Sequence, residues 1–290
     1  MAKENSIKIL ELQLQAEKIR KRVVEMIFSS KSGHIGGSLS SVDIDTALYF
    51  HVMNIDSENS KKEDRDRFIL SKGHSVEALY SVLAARGFIE DGVLDTYGQF
   101  NSILEGHPTK KVSGVEHNSG ALGHGLSVGV GIAIAAKMDN KTFRTYVLMG
   151  DGEQGEGSIY EAAMSASHYH LDNLVAIIDR NELQISGETE KVMRLEPIRE
   201  RWEVFGWEVF DVDGNDIKAL VDVFDSLNYS NKKPKIIIAH TIKGCGISFM
   251  ERLASWHHGV VNEEQYKEAV VEINERIRNL SVKKEEYEMR

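Results

Sequence analysis

The segment Thr145-Tyr146-Val147-Leu148-Met149 is a short apolar run that leads directly into Gly150-Asp151-Gly152. A second run, Leu174 to Ile178, leads into Asn181. Runs of this length and composition are typical of buried parallel strands. Ligands of open α/β sheets collect at the carboxyl ends of the strands. We therefore expect Asp151 and Asn181 to converge, although 30 positions (181 minus 151) separate them.

The same strand pattern recurs along the chain, with helical patterns between the strands. Further strands are predicted at Glu208 to Val212 and Lys235 to Ala239, and helices at Gly157 to Tyr169 and Asp216 to Leu227. This alternation predicts right-handed crossovers and an α/β fold, with a mostly parallel sheet and helices on both faces.

Two more helices are predicted outside this alternation. Apolar residues at helical spacing indicate an amphipathic helix from Lys8 to Ser29, followed by a glycine-rich loop, and Leu126 to Ala136 is expected to form a buried helix. We expect residues 1–290 to form a single domain, with 282–290 as a charged, flexible tail.

Composition narrows the class of protein. The 290 residues are 41% hydrophobic, and 45 acidic against 35 basic residues give a net charge of −10. That charge disfavours nucleic acid and anionic membranes as partners. The single cysteine, Cys245, excludes an internal disulfide and fits a reducing cytosol. We expect a cytoplasmic protein, because the first residues show no targeting signal and the longest apolar stretch falls short of the ~20 residues of a membrane helix.

The residues after the first two strands match the chemistry of a magnesium site. A carboxylate from Asp151 and an amide oxygen from Asn181 are hard ligands of the kind Mg²⁺ prefers. The flanking glycines allow close approach of a phosphate, and the following helix offers free N–H groups. A Gly-Asp-Gly tripeptide alone more often marks a tight turn. Its position after a strand, together with Asn181, favours a ligand site.

The spacing from Gly150-Asp151-Gly152 to Asn181 resembles the signature of thiamine diphosphate enzymes. Histidine-containing stretches further resemble the transketolase family. They are Ser32-Gly33-His34-Ile35-Gly36-Gly37-Ser38, Ser71-Lys72-Gly73-His74, Gly106-His107-Pro108 and Trp256-His257-His258-Gly259. A single loop histidine is usually a surface or capping residue, but the full set favours catalysis at near-neutral pH.

This resemblance implies a role for each matched residue. The implied Mg²⁺ ligands are Asp151, Asn181 and the main-chain carbonyl of Leu183. The implied contacts to thiamine diphosphate are His74, Gly120, Leu122, Gly152, Glu153, Glu156, Asn181, Ile185 and His257. The implied catalytic histidines are His34, His74, His107 and His257, with His258 as the alternative to His257.

The resemblance also implies that this chain is the N-terminal, diphosphate-binding subunit of a split transketolase. A second subunit, expected in an α2β2 assembly, would carry the pyrimidine-binding and C-terminal domains. The implied reaction transfers a two-carbon unit from a ketose to an aldose. Thr109 and Cys245 depart from common family residues, so the sugar stays open, phosphorylated or sulfonated. Two alternative interpretations of the chain are a 2-oxo acid dehydrogenase α subunit and a non-catalytic homologue.

Overall fold

A computed structural model describes residues 2–289, and Met1 and Arg290 lie outside the described residues. Within that range, five parallel strands form one sheet in the order β1-β2-β3-β7-β6. The strands are β1 (Arg67–Leu70), β2 (Thr145–Gly150), β3 (Leu174–Arg180), β6 (Glu208–Asp213) and β7 (Lys235–His240). A small antiparallel hairpin pairs β4 (Leu183–Gln184) with β5 (Gly187–Glu188). The predicted parallel α/β sheet is confirmed.

Helices cover both faces of the sheet. They are α1 (Ala2–Ser30), α2 (Ile35–Ala47), α3 (Val76–Ala85), α4 (Gly125–Met138), α5 (Gly157–His168), α6 (Thr189–Val192), α7 (Ile198–Val204), α8 (Ile217–Ser226) and α9 (Glu263–Met289). Helices α1, α2, α3, α8 and α9 share one buried core with alternate strand residues such as Leu148 and Ile177. Helices α4, α5 and α7 share a second buried core with the strand residues that lie between those of the first, such as Val147 and Ile178. The period-2 side-chain alternation thus divides each strand between two cores.

The register brings the predicted ligands to one edge. Gly150 pairs with Asp179, and Arg180 pairs with His240, so β2, β3 and β7 end side by side. All residues of β3 are buried, because it is the central strand and helices lie on both of its faces. The loops that leave these strands therefore meet above the centre of the sheet.

Three elements differ from the sequence predictions. Strand β1 was not predicted, because four residues are too short for a clear pattern. The glycine-rich segment after α1, predicted as a loop, turns into α2 at Ile35. Its glycines serve close packing there, since a Cβ on Gly36 would lie 2.5 Å from the carbonyl oxygen of Trp256. Helix α4 is buried along one side only, and Met138 at its end is 76% exposed.

Residues 282–289 continue α9 as helix, in the region where a flexible tail is predicted. Helix α9 packs along α1, and Lys284 pairs with Glu11 across that contact. Among the described residues, no helix has the length and apolar character needed to cross a membrane.

Candidate active site

A cavity of about 380 Å³ lies where the loops after β1, β2, β3 and β7 meet. Most of the predicted site residues line it: His34, His74, Gly120, Leu122, Asp151, Gly152, Glu153, Asn181, Leu183, Ile185 and His257. His107 lies beside the cavity, with its ring centroid 6.5 Å from that of His34. Glu156 is exposed on the surface at the residue before α5. The fold therefore brings together residues that are far apart in the chain.

Asp151 occupies the turn after β2 and is only 3% exposed. One carboxylate oxygen accepts hydrogen bonds from the backbone N–H of Glu182 at 2.8 Å, from Thr189 Oγ1 at 3.0 Å and from Arg180 Nη1 at 3.1 Å. The other accepts the N–H of Gly152 at 2.7 Å. Burial raises the pKa of Asp151, and Asp179 adds to this, while Arg180 opposes it. The carboxylate thus joins the β2 loop to the segment after β3.

The other implied metal ligands lie next to Asp151. Asn181 donates from Nδ2 to Asp179 at 3.2 Å, and its Oδ1 accepts the N–H of Leu183. The carbonyl of Leu183 accepts a hydrogen bond from the Lys243 ammonium at 2.9 Å, so this oxygen faces a position that suits a cation. The oxygen donors fit Mg²⁺. Within residues 2–289, no cluster of three histidine, cysteine or acidic side chains offers a rival metal site.

Two buried lysines line the cavity, and the sequence assigned a role to neither. Lys72 is 1% exposed, donates to the carbonyl of Gly37 at 2.8 Å and pairs with Asp179. Lys243 is 2% exposed, and burial lowers its pKa to about 8. Each lysine stands directly before a glycine in a loop that follows a strand, which was the available signal. Their charges suit an anionic diphosphate in a protein of net negative charge.

Glu153 is 1% exposed and holds the neighbouring loops to one another. Its carboxylate accepts hydrogen bonds from the Ser71 hydroxyl, from the N–H of Gly123 at 2.8 Å and from the N–H of Gly150 at 3.1 Å. These donors belong to the loop after β1, the loop before α4 and the last residue of β2. Glu153 lines the cavity, where it is predicted to contact the cofactor, and its hydrogen bonds also fix the shape of the cavity.

The histidines form a cluster around His34. Its ring centroid lies 4.7 Å from His258, 5.2 Å from His74 and 5.7 Å from His257. Burial is the main cause that lowers the pKa of His34 to about 4, His257 to about 3 and His74 to about 2. Nearby lysines add to the effect, Lys72 at His74 and Lys243 at His257. These rings are neutral at pH 7, so each can both donate and accept hydrogen bonds.

His257 and His258 differ in their position. His257 lines the cavity, and its Nδ1 lies 2.9 Å from the Lys243 ammonium, which can only donate. Nδ1 therefore accepts, and the proton of the neutral ring sits on Nε2. His258 contacts His34 instead. This geometry favours His257 for the role that the sequence left open between the two.

The buried neutral histidines predict acid sensitivity of the ligand-free chain. Unfolded His74 takes up a proton near pH 6.5, whereas the folded ring has a pKa of about 2, so stability is complete above pH 6.5 and falls below it. Below pH 6.5, one such histidine lowers the free energy of unfolding by up to about 1.4 kcal/mol for each pH unit. Urea unfolding at pH 7 and pH 5 should show a smaller loss in His74→Asn than in the wild type. His170→Asn, at an exposed position, is the control, and equal losses in all three proteins would contradict the prediction.

Comparison with known proteins identifies the family of this chain. Residues 12–285 match the family model described as "Transketolase, thiamine diphosphate binding domain". The chain belongs to the transketolase family. The predicted family and fold are confirmed, as is thiamine diphosphate binding at the level of this transketolase domain.

Curated relatives extend the comparison. The chain is 60% identical to an apulose-4-phosphate transketolase subunit of Phocaeicola vulgatus, over 93% of this chain and 96% of that one. It is 40% identical to "6-deoxy-6-sulfo-D-fructose transketolase subunit SqwG" of a Clostridium species, over 91% of this chain and 96% of that one. Both relatives are transketolase subunits of about the same length as this chain.

A solved structure has a different length. The transketolase of Campylobacter jejuni superimposes with a TM-score of 0.85 at 28% identity and covers 96% of this chain, but only 48% of its own length is matched. The chain thus spans about half the length of this solved transketolase.

Proposed function

We propose that this chain is the N-terminal subunit of a split transketolase and that it works only with a second subunit. The observation that carries the proposal is the difference in coverage: 96% of a relative named as a subunit, but 48% of a solved transketolase. The predicted partner supplies the pyrimidine-binding and C-terminal domains in an α2β2 assembly. Ile185 supports an interface here, because it lines the cavity and is nevertheless 75% exposed.

The chemistry of the cavity also supports dependence on a partner. Among the described residues that line it, the carboxylates are Asp151, Glu153 and Asp179, and all of them are engaged within the chain. None is left to act as the free acid that the cofactor's aminopyrimidine requires. We assign that group to the second subunit, together with the basic residues that would bind a sugar phosphate.

The chain's own residues are proposed to bind the diphosphate and to orient the sugar. Lys72 and Lys243 provide positive charge, while Asp151, Asn181 and the carbonyl of Leu183 hold Mg²⁺. When bound, thiamine diphosphate supplies the electron sink for cleaving the bond next to a ketose carbonyl.

Four histidines of the cluster are proposed to contact the sugar. His34, His74 and His107 accept or donate hydrogen bonds to its hydroxyls, and His257 offers its Nε2 proton. Direct acid–base help of this kind typically contributes ~10²–10⁴-fold. Glu156 is proposed to face the partner, since it is exposed beside the loop that carries Gly123. The unpaired Cys245 is consistent with a cytoplasmic location.

The donor is proposed to be a modified ketose. The 60% identity to a subunit named for apulose 4-phosphate favours that sugar, and the 40% identity to a subunit named for a sulfonated fructose makes a sulfonated ketose the second candidate. Fructose 6-phosphate serves as the unmodified ketose phosphate with which these two donors are compared.

Reconstitution tests the proposal. The chain is purified alone and together with the product of the neighbouring gene, with thiamine diphosphate and Mg²⁺, and each donor is offered with an aldose phosphate. We expect no two-carbon transfer by the chain alone, and transfer by the pair, fastest with apulose 4-phosphate. Mass spectrometry of the products measures it. Full activity of the chain alone would overturn the split assignment, and no transfer from any donor by a properly assembled pair would overturn the catalytic one.

A further inference from the structure

The loop after β7, residues 241–246, carries Lys243 into the cavity. Lys243 Nζ contacts the carbonyl of Leu183 and Nδ1 of His257, each at 2.9 Å. The N–H of Gly244 donates to the carbonyl of Gly36 at 3.0 Å. The position of this loop therefore determines where the lysine charge lies and which nitrogen of His257 carries its proton.

Side chains on the opposite side hold the backbone of the same loop. Arg20 of α1 donates from Nε to the carbonyl of Cys245 at 3.1 Å. Arg276 of α9 donates from Nη2 to the carbonyl of Gly246 at 2.6 Å. Asn215, before α8, accepts the N–H of Ile242 at 2.8 Å. The loop is thus tied to elements that make no contact with the cavity.

These side chains form a network of charged and polar groups, and its centre, Arg20 with Glu17 and Asp43, is buried. Arg20 is 2% exposed and donates to Glu17 at 2.6 Å and to Asp43 at 2.8 Å. The second oxygen of Glu17 accepts from Arg276 at 3.0 Å, and Asp43 accepts from Asn215 at 2.9 Å. Taking charges out of water offsets much of the gain from such pairs, so stability alone explains the network poorly. The geometry that it imposes is the better explanation.

Close packing couples Arg20 directly to the loop. Gly246 has a φ of +86°, and a Cβ there would lie 2.6 Å from Cδ of Arg20. A second cavity, of about 560 Å³, borders Arg20, Cys245 and Gly246. Because open space lies behind the loop, hydrogen bonds to its carbonyls replace the apolar packing that would otherwise hold it.

We propose that Arg20 is a positioning residue that sets Lys243, and through it His257, by holding the backbone of loop 241–246. Its contact with the active site is indirect, since its donors reach Glu17, Asp43 and the carbonyl of Cys245. The inference depends on one part of the proposed function, namely that the cofactor binds beside Lys243.

Arg20→Lys separates a positioning role from charge balance. Lysine keeps a positive charge beside Glu17 and Asp43, but its single nitrogen cannot occupy the positions of all three guanidinium nitrogens, so we expect the hydrogen bond to the carbonyl of Cys245 to be lost. We expect the urea midpoint to stay close to that of the wild type. We expect the His257 ring, followed by ¹⁵N-histidine NMR of the ligand-free chain and assigned with His257→Asn, to show a changed tautomer ratio.

A double-mutant cycle tests the route of the effect. In the reconstituted pair, we expect Arg20→Lys to raise the thiamine diphosphate concentration for half-maximal activation about tenfold, the equivalent of losing one hydrogen bond to a charged group. In a Lys243→Met background, the same change should have no further effect. Arg22→Lys is the matched control, because Arg22 lies on α1 and pairs with Asp91 and Asp95 away from the loop.

The outcomes are distinct. Coupled effects in the cycle and a changed His257 signal in Arg20→Lys support the inference. Additive effects, or an unchanged His257 signal, overturn it and leave the proposed function intact. A wild-type pair that fails to bind the cofactor overturns the proposed function and this inference with it.

Discussion

Replacing Asp151 with alanine is expected to abolish Mg²⁺-dependent cofactor binding. The substitution removes the only carboxylate among the three implied ligands and, with it, the acceptor for Glu182 N–H and Thr189 Oγ1. Loss of residues that merely orient metal ligands costs 10–100-fold in affinity, so removal of a ligand should exceed ~100-fold. Calorimetric titration of thiamine diphosphate into the reconstituted pair, with Mg²⁺ and with EDTA, measures the effect.

The control for Asp151→Ala addresses its effect on Arg180. Arg180 pairs with Asp151 at 3.1 Å, with Glu190 at 2.9 Å and with Glu196 at 3.1 Å. Glu196→Gln removes one partner of this arginine while leaving the cavity intact, so it should change stability slightly and cofactor affinity not at all. If Asp151→Ala keeps wild-type, Mg²⁺-dependent affinity, Asp151 is not a metal ligand.

The fold was readable from the sequence wherever a strand was long and uniformly apolar. The central strand β3 is buried from end to end, so Leu174 to Ile178 could be recognised without the pairing of its neighbours. Strand β1 could not, because its four residues, Arg67 to Leu70, are too few to show a pattern, although three of them are buried. Helix α2 was missed because its glycines discourage a helix locally, and only the approach of Trp256 explains Gly36.

The site was predictable where chemistry and position coincide, as at Asp151 and Asn181. The lysines were not, because lysine is ordinarily a surface residue, and a glycine directly after each of them is only a weak signal that Lys72 and Lys243 are buried. Their burial depends on partners distant in sequence: Asp179 for Lys72, and the carbonyl of Leu183 for Lys243. Arg20 could not be predicted either, because its contact with the loop 241–246 joins residues more than 200 positions apart.

The pair formed by Lys72 and Asp179 predicts the largest single loss of stability. Asp179 is fully buried and also accepts hydrogen bonds from Ser40 and Thr241. Lys72 and these hydrogen bonds hold the pKa of Asp179 below its ordinary value despite burial. In Asp179→Asn, the Lys72 ammonium stays buried without its anion. We expect a loss of about 3–5 kcal/mol in unfolding free energy, measured by urea denaturation.

A second substitution should recover part of that loss. In the double variant Lys72→Met with Asp179→Asn, neither charge of this buried pair remains, so we expect the two changes to couple by about 1–3 kcal/mol. Cofactor affinity should not recover, because the cavity has lost a cation that we propose binds the diphosphate. Lys137→Met is the matched control: Lys137 pairs with Asp172 at a side-chain exposure of 38%, where such a pair contributes about 0–1 kcal/mol. An affinity in the double variant equal to or above that of Asp179→Asn would mean that Lys72 serves the fold alone, whereas an affinity below that of Asp179→Asn assigns Lys72 to the diphosphate.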